Sequence, residues 1–62
     1  MTVEYLNGTD YARIYGVYDE TGKPIGTVEH KIAGREAGKV YCYSLTGKYN
    51  KRDIKRFYKE NK

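Results

Sequence analysis

Alternating apolar and polar positions predict β-strands through the first two thirds of the chain. Residues 11–19 are rich in aromatic and β-branched side chains, which pack well on a pleated sheet, and predict one strand. The pattern over residues 25–32 predicts a second strand, because the side chains alternate between a largely apolar set and a polar set. The apolar set is Val28, His30 and Ile32, and the polar set is Thr27, Glu29 and Lys31. Such alternation is typical of a sheet with one face in water.

Two further segments have strand character. Residues 40–45 predict a third strand, with Tyr41, Tyr43 and Leu45 on one face and Val40, Cys42 and Ser44 on the other. Either face can be the buried one on this pattern. Residues 2–6 are a candidate edge strand, because the following Asn7-Gly8 pair suits a tight hairpin turn.

Helical periodicity is confined to the C-terminal segment, where it predicts a helix over about residues 51–61. The apolar positions recur at i, i+3 and i+4 and are Ile54, Phe57 and Tyr58. Asn50 is a suitable N-cap, because its side-chain oxygen can accept a backbone N–H of the first turn. A helix this short is marginal alone in water, so we expect it to dock on the sheet.

The predicted fold is therefore α+β. It consists of an antiparallel β-meander of three or four strands with one C-terminal α-helix packed on one face. We expect residues 1–62 to form a single small domain, since the chain contains no linker, repeat or low-complexity tract. A core this small contributes little stability, which makes self-association relevant.

Charge is unevenly distributed along this fold. Residues 1–31 contain three basic and five acidic side chains, whereas residues 32–62 contain nine basic and three acidic ones. Six cations fall on one flank of the predicted helix, beside its apolar stripe, and are Lys51, Arg52, Lys55, Arg56, Lys59 and Lys62. A basic surface of this kind indicates an anionic partner.

Nucleic acid, and DNA in particular, is the first hypothesis for that partner, because a basic stripe can neutralise phosphates and release their counterions. The candidate phosphate contacts are Lys48, Lys51, Arg52, Lys55, Arg56 and Lys59. The candidates for stacking on bases are Tyr15, Tyr41 and Tyr43, with Arg13 or Lys31 among the tyrosines of the uncovered sheet face. The alternative is a solvated helix face on a protein-interaction module, or a homodimer that buries the tyrosine-rich sheet face or pairs an edge strand.

A three-stranded antiparallel sheet followed by one C-terminal helix resembles, in architecture, the DNA-binding domains of AP2-type factors. It is also similar to the arm-binding N-terminal domains of some tyrosine recombinases. Those domains lay the sheet in the major groove, so the resemblance implies DNA as a partner. It covers residues 11–62 and carries over no residue, since the chain lacks tryptophan and any AP2-type signature.

No catalytic, cofactor or metal site emerges from the sequence. Residues 34–39 are one residue too short for a phosphate-binding P-loop, and Val40 stands where that loop needs Ser or Thr. One histidine, His30, and one cysteine, Cys42, give no pattern for nucleophilic catalysis and too few ligands for structural zinc. Asp19 and Glu20 are adjacent and point apart on a strand. We predict a non-enzymatic protein without a cofactor.

The cellular compartment follows from the cysteine content and the hydropathy. A single cysteine forms no disulfide within the chain and fits a reducing compartment. The Met1 end has no signal-peptide pattern, and no apolar run approaches the roughly 18–20 residues needed to cross a bilayer. We therefore expect a cytoplasmic protein with no membrane partner.

Overall fold

The computed structural model describes residues 1–61 and contains four antiparallel strands followed by one helix. These elements are β1 (Thr2–Gly8), β2 (Ala12–Tyr18), β3 (Pro24–Lys31), β4 (Val40–Ser44) and α1 (Lys51–Asn61). The strands form one sheet in the order β1-β2-β3-β4, so each pairs with its neighbour in sequence. The predicted α+β meander with a C-terminal helix is confirmed. The candidate edge strand near residues 2–6 is present as β1, which brings the number of strands to four.

The first hairpin turns later than the sequence suggests. Asn7 and Gly8 belong to β1, where they pair with Ile14 and Arg13, because a bulge after Tyr5 shifts the register. The reversal follows at residues 9–11. There the Thr9 N–H donates to the Ala12 carbonyl oxygen at 2.8 Å, and the Thr9 hydroxyl oxygen accepts from the Tyr11 N–H at 3.1 Å. The expectation of an Asn7-Gly8 turn is therefore wrong.

Strand register decides which face of β4 is buried. Val28 of β3 lies directly opposite Tyr15 of β2 and Cys42 of β4, so these three side chains share a face. That face receives the helix. The buried core consists of Val17, Ile25, Val28, Cys42, Ile54, Phe57 and Tyr58. Tyr41 and Tyr43 therefore point to the opposite face, which no element of the described chain covers and which we call the open face.

The start of α1 is defined by Asn50, as predicted. The Asp53 N–H donates to Asn50 Oδ1 at 2.9 Å, and the Asn50 N–H donates to Asp53 Oδ2 at 3.2 Å. This reciprocal pair satisfies backbone donors that a helix start leaves without partners. The preceding loop is held by Ser44 Oγ, which lies within hydrogen-bonding distance of the Thr46 and Tyr49 carbonyl oxygens.

The apolar stripe of α1 docks as predicted, since Ile54, Phe57 and Tyr58 are all buried. The predicted ends of β2, β3, β4 and α1 agree with the observed ones to within one residue, whereas β1 extends two residues beyond its predicted end at Leu6. Ile32 lies just beyond β3 and is exposed. In the part of the chain that the structure describes, no helix is long and apolar enough to cross a bilayer.

Candidate nucleic-acid interface

An open groove of about 500 Å³ runs between the edge strand β4 and the helix α1. Its lining residues are Val40, Tyr41, Cys42, Tyr43, Lys51, Arg52 and Lys55. A second hollow of about 440 Å³ shares Val40, Tyr41 and Lys55 with the first and adds His30, Gly38, Lys39 and Lys59. The two hollows adjoin one another, since three residues line both. We call this combined surface the cationic groove.

Helix geometry explains why these cations gather beside β4. Ile54, Phe57 and Tyr58 face the sheet, and the row Lys51, Lys55, Lys59 follows at intervals of four residues on the adjoining flank. At a rise of about 1.5 Å per residue, that row extends for about 12 Å. Lys39 joins from the other side of the groove, because the Lys31 N–H donates to the Lys39 carbonyl and holds the loop end at the sheet.

The cations of the groove have no carboxylate partners among the described residues. Within residues 1–61, ion pairs join only Lys31 to Glu29, at 3.2 Å, and Arg56 to Asp53, at 3.6 Å. No aspartate or glutamate is among the described residues that line the groove. Among the residues that the structure describes, the groove cations without an ion pair are Lys39, Lys51, Arg52, Lys55 and Lys59, and we call them uncompensated.

Two of the predicted phosphate contacts lie elsewhere. Arg56 is directed to the far flank of α1, where its guanidinium pairs with Asp53 and lies 5.2 Å from the centroid of the Phe57 ring. Lys48 lies over the Tyr49 ring at 5.7 Å and lines a separate hollow that also includes Asp19 and Glu20. The predicted set is thus divided, with four of its six members in the groove. Lys62, also expected on this flank, lies outside the described residues.

The three tyrosines proposed for stacking do not share a surface. Tyr15 lies on the helix side, partly buried, with its ring centroid 5.8 Å from that of Tyr5 and 5.2 Å from that of Tyr58. Tyr41 and Tyr43 lie on the open face at the β4 edge and line the cationic groove. The expectation that Tyr15 belongs to the uncovered face is wrong, because its partner across the sheet is Val28 of the core.

The open face itself is not cationic. It carries Glu4 and Glu29, and its lysine, Lys31, is paired with Glu29. Arg13 lies on the other face, opposite His30. Carboxylates repel phosphates, so the open face does not suit the sheet-in-groove docking that the architectural resemblance implies.

A further carboxylate approaches the groove from its outer side. The Tyr41 hydroxyl donates a hydrogen bond to Glu36 in the loop between β3 and β4. This hydrogen bond raises the pKa of Tyr41, because it favours the protonated phenol. The ring of Tyr41 is thereby held at the mouth of the groove, next to Lys55 and Lys51.

His30 and Cys42 have structural environments. His30 Nδ1 lies 2.8 Å from the Tyr58 hydroxyl oxygen, which ties the helix to β3. Cys42 is buried, and this burial raises the pKa of its thiol, so the reactive thiolate is disfavoured. In residues 1–61, no three His, Cys, Asp or Glu side chains converge as a metal site would require.

The sequence does not predict Lys39 and His30 as parts of the groove. By its position, Lys39 is a soluble neighbour of the turn residue Gly38, which has a φ of 92°. The only sequence signal that could have placed Lys39 in the groove is its position immediately before β4. No spacing in the sequence connects it to a helix that begins twelve residues later.

Comparisons with protein-family models, with curated proteins and with solved structures find no match for this chain. The architecture alone does not identify a function, because one fold serves many functions. The cationic groove is therefore the feature from which a function can be inferred.

Proposed function

We propose that this protein binds nucleic acid through the cationic groove, without catalysis. The observation that supports the proposal is the set of uncompensated cations on both sides of one groove, Lys39, Lys51, Arg52, Lys55 and Lys59. A cytoplasmic location, where the single buried thiol remains reduced, is part of the same proposal.

The physical basis is counterion release. Each lysine or arginine that neutralises a phosphate frees a condensed cation from the nucleic acid, so affinity falls as salt rises. With five such contacts, the slope of log K against log salt is about −4.5 for a duplex and about −3.5 for a single strand. Sequence-independent binding of this type has a Kd of roughly 10⁻⁴ to 10⁻⁶ M at physiological salt.

Charge-neutralising substitutions test the groove directly. In fluorescence-anisotropy titrations at several salt concentrations, Lys51→Gln combined with Lys55→Gln is expected to weaken binding about tenfold or more at low salt. It is also expected to make the salt slope shallower by about 1.4 to 1.8, since two phosphate contacts are lost. Both residues are exposed, so the fold is expected to survive.

The matched control uses two cations outside the groove, Lys48 and Lys23. Lys48→Gln combined with Lys23→Gln changes the net charge equally and is expected to leave affinity within about twofold, because neither residue lines the groove. Absence of binding at low salt would reject the proposal. Equal weakening by both double variants would reject the groove as the site.

Self-association is a second candidate function, and β1 is the observation that favours it. This edge strand contains neither lysine nor proline, so its protection against pairing is limited to Glu4 and the bulge after Tyr5. It also exposes Tyr5 and Leu6, at 55% and 47% of their surface. Sedimentation equilibrium over a range of protein concentrations tests this candidate, and a strict monomer at the highest concentration would reject it.

A further inference from the structure

Two aromatic rings lie at the same groove as the uncompensated cations. Tyr41 and Tyr43 line it together with Lys51, Arg52 and Lys55, and they remain 36% and 47% exposed. As residues i and i+2 of one strand, they project from the same face about 7 Å apart. Rings and cations thus line the same groove at one edge of the sheet.

The bases of a duplex cannot stack on the exposed rings of Tyr41 and Tyr43. Its bases are paired and stacked on one another, so a protein reaches only their edges in the grooves. An aromatic side chain stacks on a base that is unpaired and turned outward. Exposed tyrosines beside phosphate-binding cations are therefore a feature that a single strand exploits and a duplex does not.

The surroundings of the groove also disfavour a duplex. A wide ligand that covers both the helix flank and the sheet would lie over Glu4 and Glu29 of the open face. A narrow ligand that follows the β4 edge avoids Glu4, which lies on β1 at the opposite edge of the sheet, and approaches Glu29 and Glu36 only beside Tyr41. The favourable charge is confined to a strip about 12 Å long, the length of the Lys51 to Lys59 row.

From this arrangement we infer that the cationic groove binds a single-stranded polynucleotide. The backbone phosphates lie along Lys51, Lys55 and Lys59, and unpaired bases stack on Tyr41 and Tyr43. This inference rests on the proposed nucleic-acid function and specifies its substrate class. The strip is short, so the bound segment is about four nucleotides, the lower end of the range for small single-strand-binding folds.

The test compares four fluorescein-labelled probes of equal length. They are a 12-nucleotide oligo(dT), a 12-nucleotide oligo(rU), a 12-unit abasic deoxyribose-phosphate strand, and the duplex of oligo(dT) with oligo(dA). At one low salt concentration, we expect oligo(dT) or oligo(rU) to bind about tenfold more tightly than the abasic strand, because stacking is absent from the latter. The same single strand is expected to bind more tightly than the duplex, and the two single strands together distinguish DNA from RNA.

Tyr43 offers the cleaner of the two ring substitutions, because Tyr41 also holds Glu36. Tyr43→Ala is expected to lower affinity for the preferred single strand about tenfold and to leave abasic binding unchanged. Tyr43→Phe retains the ring and is expected to retain the affinity. Tyr11→Ala is the matched control, since Tyr11 is 64% exposed and lies outside the groove.

The outcomes separate the inference from the function on which it rests. If all four probes bind equally and Tyr43→Ala has no effect on any of them, the single-strand inference is overturned while nucleic-acid binding stands. The single-strand inference is likewise overturned if the duplex is the tightest ligand. If no probe binds at low salt, the proposed function is overturned together with the inference.

Discussion

The two faces of the sheet contain the same residue type in different roles. On the helix side, Tyr15 packs against Tyr58, and Tyr58 is 2% exposed. On the open face, Tyr41 and Tyr43 retain a third or more of their surface in contact with water. Packing under the helix shields Tyr15 and Tyr58 from water, whereas the rings of Tyr41 and Tyr43 remain accessible to a ligand. The position relative to α1, and not the residue type, therefore separates structural tyrosines from candidate binding tyrosines.

Ile54→Ala is expected to have the largest effect on this difference between faces. Ile54 is fully buried between helix and sheet, and its truncation leaves a cavity that costs about 2–5 kcal/mol. Because a core of this size supplies only about 3–5 kcal/mol in total, we expect a largely unfolded protein by circular dichroism at 25 °C. The control Leu45→Ala, at an exposed position, is expected to change stability by less than about 0.5 kcal/mol. A native spectrum for Ile54→Ala would contradict the docking of α1.

A pair of glycines provides a sharper comparison. A Cβ added at Gly26 would lie 2.6 Å from Ile54 Cδ1 and 2.8 Å from the Tyr43 carbonyl oxygen, both held by packing. At Gly16 the nearest atom would be the Tyr18 hydroxyl oxygen at 2.7 Å, the far end of a flexible side chain on the open face. In urea denaturation, Gly26→Ala is expected to lose about 1–3 kcal/mol and Gly16→Ala less than about 1 kcal/mol. Equal losses would show that the two faces are equally tightly packed.

Removal of one hydroxyl from each face gives the smallest expected effects. Tyr58→Phe loses the contact with His30 and is expected to cost about 1 kcal/mol at neutral pH, whereas Tyr43→Phe changes little. Burial first, and Tyr15 second, raise the pKa of Tyr58 above its ordinary value of 10.0. The corresponding stability is complete below pH 10 and is lost as the pH rises through the raised pKa.

The measurement for this pair is urea denaturation as a function of pH. Stability above about pH 10 is expected to fall less steeply in Tyr58→Phe than in the unmodified protein, because one of the groups whose pKa is raised by folding is absent, while Tyr41 and Cys42 are retained in both. Tyr43→Phe, which removes a hydroxyl group from the open face, is the control measured beside it. Identical alkaline profiles for all three proteins would show that Tyr58 is not buried in solution.

Much of the fold is predictable because its signals are local. The period-two pattern in β2 and β3, the Asn50 cap and the Ile54, Phe57, Tyr58 stripe each depend on residues that are close in sequence. The prediction of an Asn7-Gly8 turn was wrong for a reason that is not local. A bulge in β1 shifts its pairing with β2, and at Gly8 a Cβ would lie only 2.9 Å from the Ala12 carbonyl oxygen. This glycine permits close backbone approach and does not form the turn.

The candidate site was predictable only in part. The Lys51, Lys55 and Lys59 row follows from helical spacing, which the sequence contains. The placement of Arg56 was not predictable from helical spacing alone. Its guanidinium lies 3.6 Å from the Asp53 carboxylate and not in the groove. Lys48 depends on a loop whose path is set by Ser44, and Lys39 comes from a hairpin on the far side of the groove.

The amino-acid sequence alone determined the meander, the position of the helix and the presence of a basic helix flank, because periodicity and capping act over a few residues. Only the tertiary structure decided which side of β4 faces α1, that Tyr15 and Tyr43 lie on opposite faces, and which cations meet across the groove. The physical reason is that the alternation in β4 places apolar side chains on both of its faces, so its own sequence does not specify which face is buried. Docking of Ile54, Phe57 and Tyr58 against Val28 and its neighbours selected the one that buries Cys42.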